Sequence, residues 1–199
     1  MRGIHLSAAT LGLTLLAACA PDLPPTLGDE LPDSGLEVSD ATGSERELPP
    51  ALGDELPDSR LEVFDATGSQ WELGQALMLS ALEGKPIVLD FWASWCGTCP
   101  MQHRQVTELK ERYGDRITVL GVNFRDTPEA ARGWLKEHGA TYPTVTEQDG
   151  ALAEEFWLSA LPYFALLTPD RRLSWDFLGA SREGIPDSVT VRLEAMLGS

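Results

Sequence analysis

The chain has 199 residues, 43% hydrophobic and 23% charged, with 31 acidic side chains against 15 Lys and Arg and a net charge of −16. That length fits one ordinary domain with extensions. A chain this acidic repels phosphate backbones, and no basic stripe interleaved with aromatics runs along it, which excludes nucleic acid as a partner.

The acidity is uneven. Residues 20–73 carry 14 acidic and 2 basic side chains, whereas residues 74–199 carry 17 and 12. Residues 1–18 place Arg2 before an apolar run too short and too rich in small residues to span a membrane, the layout of a secretory signal. The stretch Leu16-Ala17-Ala18-Cys19 resembles the bacterial lipobox, which implies cleavage before Cys19 and a lipid on that cysteine. The other reading is an ordinary signal peptide that contains a cysteine. Pro21, Pro24 and Pro25 then begin an exposed tether.

Residues 19–57 read as an acidic linker, and residues 58–199 as the domain. "LGDELPDSGLEVSDATGSEREL" at 27–48 recurs 25 residues later as "LGDELPDSRLEVFDATGSQWEL" at 52–73, with Ser39 and Arg46 replaced by Phe64 and Trp71. Two copies are too few for a solenoid. The second copy is expected to dock through Phe64 and Trp71, its alternating segments 61–64 and 70–73 forming a hairpin with Gly68 in the turn. The first copy, without these anchors, serves as spacer.

From residue 85 strands and helices alternate. An apolar run to Trp92 reads as a strand buried on both faces. A helix beginning near Gly97 follows, with Val106, Leu109 and Tyr113 at helical spacing and Gly114 as its stop. Ile117–Phe124 is a second buried strand, and Thr127-Pro128 opens a helix with Ala131, Trp134, Leu135 and His138 on one face. After a short segment at 143–145 come a helix over 151–157, strands over 163–167 and 172–178, and a last helix over 187–197. The order specifies an α/β domain with a central mixed sheet flanked by helices.

The chemistry concentrates in "DFWASWCGTCP" at 90–100. If Cys19 is lipidated, only Cys96 and Cys99 remain as thiols, in an exported compartment that permits disulfides. A bridge that closes so small a loop adds little to stability, so a reactive role is favoured. A thiolate is the attacking species, and a helix N-terminus stabilises it with unpaired N–H groups and the macrodipole. Cys96 lies at such a terminus as the nucleophile, and Cys99, one turn on, resolves the mixed disulfide. Asp90 interrupts an otherwise apolar strand. Burial favours the uncharged form of a carboxyl, which equips Asp90 to accept the proton of Cys99. The alternative for Asp90 is an outward-facing carboxylate.

"DFWASWCGTC" resembles the active site of thioredoxins, and "GVNFRDTPEAARGWLKEHGATYP" and "LPYFALLTPDRRLSWDFLGA" are similar to the exported TlpA-like and DsbE-like branch, membrane-tethered thiol:disulfide interchange proteins that include cytochrome c maturation factors. The resemblance covers residues 58–199. It implies the thioredoxin fold with an inserted central helix and an N-terminal β-hairpin, and a cis bond at Leu161-Pro162 beside the cysteines, where the backbone before the proline meets an incoming peptide. Trp95 is read as contact surface around the disulfide.

Two positions depart from that branch. It usually has glutamate where this chain has Gln102 and asparagine where it has Asp90. The cytochrome maturation members tend to have glutamate at Tyr163, a departure that bears on the apocytochrome substrate and leaves the dithiol chemistry intact. The reading is a thiol:disulfide oxidoreductase that acts on exported protein thiols and disulfides. It is taken as a monomeric reductant with no cofactor beyond the redox-active disulfide, tethered to a bacterial envelope membrane and recharged by a membrane-embedded donor. The competing readings are an oxidant or isomerase of the same fold, and a copper metallochaperone built from Cys96, Cys99, Met101 and His103. His103 is otherwise a solvated helix residue.

Overall fold

The computed structural model describes residues 49–139, 141–147 and 150–198. The leader, Cys19 and the first repeat copy lie outside the described residues. The elements run β1 (Arg60–Asp65), β2 (Ala76–Met78), β3 (Ile87–Trp92), α1 (Cys99–Tyr113), β4 (Thr118–Asn123), α2 (Pro128–His138), β5 (Thr144–Glu147), α3 (Ala151–Glu155), β6 (Tyr163–Leu167), β7 (Leu173–Leu178) and α4 (Asp187–Leu197). They form a seven-stranded sheet in the order β2-β1-β5-β4-β3-β6-β7. β3 runs parallel to β4 and antiparallel to β6. This is the thioredoxin layout, a mixed sheet between helices. Among the described residues no helix is long and apolar enough to cross a membrane.

β3 is buried along its whole length, and its two-residue period divides the core. Ile87, Leu89 and Phe91 join the core that also contains Leu61, Val63, Leu120, Val122 and Val145. Val88 and Trp92 face the other way. Val88 packs with Val106, Leu109 and Tyr113 of α1 and with Val189 and Leu193 of α4, and Trp92 packs with Cys96, Cys99 and Trp134. Asp90 lies between Val88 and Trp92 on that side, so the strand period itself delivers a carboxyl to α1. Gly121 of β4 is required by close approach: a Cβ there would stand 2.8 Å from Thr144 Oγ1 and 3.0 Å from Trp92 Nε1.

The N-terminal hairpin is present, but its return strand lies further on than 70–73. Arg60, Leu61 and Glu62 pair with Met78, Leu77 and Ala76. The intervening residues are taken up by turns. Asp65 Oδ1 accepts from Thr67 N at 2.9 Å, Gly68 and Gly74 have positive φ, and Gly74 N donates to Val63 O at 2.8 Å. Trp71 packs on the larger core from this loop and Phe64 on the cluster of Trp92, Cys96 and Cys99.

These aromatics are not the deepest anchors of the second copy. Leu56, Leu61 and Val63 are essentially inaccessible, and all three recur in the first copy as Leu31, Leu36 and Val38. Residues 51–57, read above as the end of the linker, pack along the start of β7. Gly53 N donates to Leu173 O (2.7 Å), and Leu173 N donates to Asp54 O (2.8 Å). Arg171 fastens the segment, its guanidinium donating to Glu83 Oε1 (2.8 Å), Glu55 Oε1 (2.8 Å) and Leu56 O (3.0 Å).

Candidate active site

Cys96 and Cys99 are joined by a disulfide, their Cα atoms 5.4 Å apart. Two tight turns lead from β3 into α1, with Cys96 N donating to Ala93 O (3.1 Å) and Cys99 N to Cys96 O (3.2 Å). The helix therefore starts at Cys99, with Thr98 as N-cap and Pro100 in its first turn, two residues later than the sequence pattern indicates. Cys96 sits just ahead of the helix N-terminus, where partial positive charge favours a thiolate. Cys96 is 6% and Cys99 1% exposed, whereas Trp95 beside them is 58% exposed.

The loop that carries Cys96 is clamped by Asp126. Its carboxylate accepts from Ser94 N (2.6 Å), Ser94 Oγ (2.8 Å), Asn123 Nδ2 (3.2 Å) and Thr127 N (2.8 Å). Burial pushes this carboxyl up, but the hydrogen bonds led by Ser94 N outweigh it and hold Asp126 below the usual aspartate range. Trp95 Nε1 donates to Arg125 O at 3.1 Å, so the same loop also orients the exposed indole. Sequence reading passed over Asp126; its signal is Asn123 and Thr127 closely flanking an Asp at a strand end, a common local hydrogen-bonding arrangement.

Behind the disulfide, Asp90 is 1% exposed. Gln102 Nε2 donates to its Oδ1 at 2.6 Å and to Tyr163 O at 3.3 Å. Tyr142 hydroxyl stands 2.6 Å from Asp90 Oδ2 and 2.6 Å from His103 Nδ1. His103 Nε2 is 2.6 Å from Gly139 O. Far from being solvated, His103 is 4% exposed, its ring against Trp134 and Tyr142. The helical period shows why: Cys99, Gln102, His103 and Val106 fall on one buried face of α1. Trp134 stacks on Trp92 with ring centroids 4.3 Å apart, in the same buried cluster as both cysteines.

The peptide bond Leu161-Pro162 is cis. Leu161 packs against the cluster that contains both cysteines. Tyr163, next along, donates its hydroxyl to Asp176 Oδ2, and burial, with that bond second, drives its phenol far above the usual range. Among the described residues no group of three His, Cys, Asp or Glu is placed to hold a metal ion. Both ring nitrogens of His103 are already engaged, which removes it from the copper site considered from sequence.

The pattern of the Redoxin family matches residues 51–192. Thiol:disulfide interchange protein HelX of Rhodobacter capsulatus is 36% identical over 116 residues, 58% of this chain and 62% of that protein. Thiol:disulfide interchange protein DsbE of Escherichia coli is 35% identical over 81 residues, 40% of this chain and 42% of that protein. The chain thus aligns with less than two thirds of either relative. A solved thiol:disulfide interchange protein from a Bacteroides species superposes with a TM-score of 0.59 at 19% identity, covering 75% of this chain and 92% of the other. At that identity the likeness concerns the fold.

Proposed function

The chain belongs to the Redoxin family, and on that premise we propose that it is a thiol:disulfide oxidoreductase that reduces disulfides of exported proteins through Cys96 and Cys99. The observation that carries the reading is the Cys96–Cys99 disulfide at the start of α1, flanked by the exposed Trp95 and by Leu161.

In the reduced protein the Cys96 thiolate attacks a substrate disulfide. A mixed disulfide forms and the first substrate sulfur leaves as a thiolate. Cys99 then gives its proton to Asp90 and its sulfur attacks Cys96 Sγ. The bond from Cys96 to substrate breaks, the second substrate sulfur leaves with the electron pair, and Cys96–Cys99 closes. Two electrons pass to the substrate. Among the described residues Leu161 makes no backbone hydrogen bond, so an extended substrate segment can pair with it as an added strand, while Trp95 offers a flat apolar surface.

The reading includes the organisation drawn from sequence: a leader over 1–18, lipid on Cys19, an acidic linker over 19–57 whose last part packs on the domain, and the catalytic domain over 58–199. The acidic tether keeps the domain at an envelope membrane, where a membrane-embedded dithiol donor recharges it, in cell-envelope redox homeostasis or in cytochrome c maturation. The same disulfide would serve an oxidant if its potential were high. Measuring the equilibrium of the pair against glutathione decides this: about −270 mV supports a reductant, and about −120 mV means an oxidant. Cys99→Ser should trap substrates on Cys96, and recovery of no mixed disulfide would refute the exchange chemistry.

A further inference from the structure

The hydrogen bonds behind the disulfide fix a proton count. Gly139 O can only accept, so His103 Nε2 carries a hydrogen. Tyr142 oxygen lies between Asp90 Oδ2 and His103 Nδ1, 2.6 Å from each. Each of these contacts needs a hydrogen, and the phenol supplies one. The second sits either on Asp90, as a carboxylic acid that donates to Tyr142 while Tyr142 donates to a neutral imidazole, or on Nδ1, as an imidazolium facing a carboxylate. Both placements have zero net charge. With that hydrogen removed, two acceptors would confront each other at 2.6 Å inside the core.

We infer that Asp90, Tyr142 and His103 together hold one transferable proton while the disulfide is closed, and release it to Cys99 when the disulfide opens. This rests on the reading of Asp90 as the base for Cys99. On opening, a donor thiolate attacks Cys96 Sγ and forms a bond to it. The Cys96–Cys99 bond breaks with its electron pair on Cys99, and the proton passes from the Asp90 carboxyl to that sulfur. The Tyr142 hydrogen then turns to the Asp90 carboxylate, and Tyr142 oxygen and His103 Nδ1, left without a hydrogen between them, move apart. On closing, Cys99 returns the proton and the Tyr142 hydrogen swings back to His103 Nδ1.

Tyr142 and His103 touch neither substrate nor sulfur in these steps. They are positioning residues that give the protonated carboxyl a complete set of partners. Burial, and then the Asp90 charge, push the Tyr142 phenol well above its usual range, so it passes a hydrogen as a hydroxyl without ionising. The other titratable or charged groups near the ring are Cys96 and Cys99, in one cluster with Trp134, and Arg104 and His138, which line a cleft of about 290 Å³ beside Gly139. Neither Arg104 nor His138 makes a hydrogen bond to the three groups.

Two substitutions of one residue separate this role from packing. The His103→Asn amide oxygen falls near the place of Nδ1 and can accept from Tyr142. The His103→Gln amide reaches toward Gly139 O but leaves Tyr142 without an acceptor. Proton uptake per disulfide reduced is read from the pH dependence of the equilibrium with a dithiol buffer. The rate of the Cys99 step is read by stopped-flow from a preformed mixed disulfide between pH 5 and 9.

His103→Gln should take up one more proton from solvent than wild type, and its Cys99 step should slow about tenfold to a hundredfold at neutral pH, recovering at high pH where the thiol ionises unaided. His103→Asn should keep the wild-type proton count. Equal behaviour of the two variants, or a wild-type count in His103→Gln, overturns the inference. Asp90→Asn is the control that separates the two levels: an unchanged Cys99 step there refutes the reading of Asp90 as base, whereas a slowed step there with an unaltered His103→Gln refutes the shared proton alone. Should His103→Gln fail to fold, a wild-type proton count equal to that of Asp90→Asn overturns the inference.

Discussion

Gln102→Glu would put a second carboxylate where Gln102 Nε2 now stands, 2.6 Å from Asp90 Oδ1. With the shared proton on His103 and Asp90 a carboxylate, two ionised oxygens at that distance repel by about 6 kcal/mol at an effective dielectric constant of about 20. The site escapes by binding a proton, and at about 1.4 kcal/mol per pK unit it retains that proton to roughly pH 8. Unfolded, the new carboxyl ionises near pH 4.3, about the ordinary glutamate value. Between these limits the folded variant holds one more proton than its unfolded chain, so its stability is greatest at low pH and falls as pH rises, by about 1.4 kcal/mol per unit.

Relative to wild type, the variant should lose about 2.7 kcal/mol between pH 5 and pH 7. Urea unfolding of both proteins at each pH measures the difference directly, with equal m-values as the check that the denatured states are alike. A difference that does not change with pH, or one that shrinks as pH rises, would mean that residue 102 does not face an ionised Asp90, and that placement of the charge behind the disulfide would be refuted.

Gly121→Ala should cost about 1–3 kcal/mol, because the added Cβ meets Thr144 Oγ1 and Trp92 Nε1 and an overpacked core must shift; a loss under about 0.5 kcal/mol in thermal unfolding would contradict that contact. Arg171→Gln should cost about 2–3 kcal/mol, since charge-assisted bonds to Glu55, Glu83 and Leu56 O are lost together. It should also speed proteolysis within 51–57, and an unchanged cleavage pattern would count against the clamp. Asp126 has a depressed carboxyl, so its contribution is present above the unfolded value and is lost as pH falls through the folded one. The stability gap between wild type and Asp126→Asn should therefore hold from pH 7 to 5 and close below about pH 4, as followed by acid titration of unfolding; a gap that persists at pH 2 would be inconsistent with this.

The strands and helices were legible because each carries a clean period and its own stop. Tyr163–Leu167 and Asp187–Leu197 fall where the apolar pattern puts them. The return strand of the N-terminal hairpin was misplaced because Gln70–Leu73 alternates like a strand while the turn chemistry of 65–75 claims those residues. Asp90 was legible as a lone charge in an apolar run. His103 was misjudged by residue type, although its position four residues after Cys99 places it on the buried face of α1. Tyr142 had no local signal at all. It follows a helix end and precedes a proline, and its partner is 52 positions away on β3, a relation that only the folded sheet creates.

The two departures from the exported branch, an acid at position 90 and an amide at 102, meet in one hydrogen bond. They amount to a carboxylate and an amide exchanged across 2.6 Å, with the site's charge kept and the proton acceptor moved from helix to strand. Asp90→Asn combined with Gln102→Glu should then restore one carboxylate facing one amide, leaving the new carbonyl at position 90 to accept from Tyr142. The double variant should recover most of the pH-dependent loss of Gln102→Glu, with a coupling of about 3 kcal/mol at pH 7 that shrinks toward pH 5. If the single changes simply add, the residues are independent and the exchange is two unrelated substitutions. If stability returns while the Cys99 step stays slow at neutral pH, the strand position of the acid is what the chemistry uses.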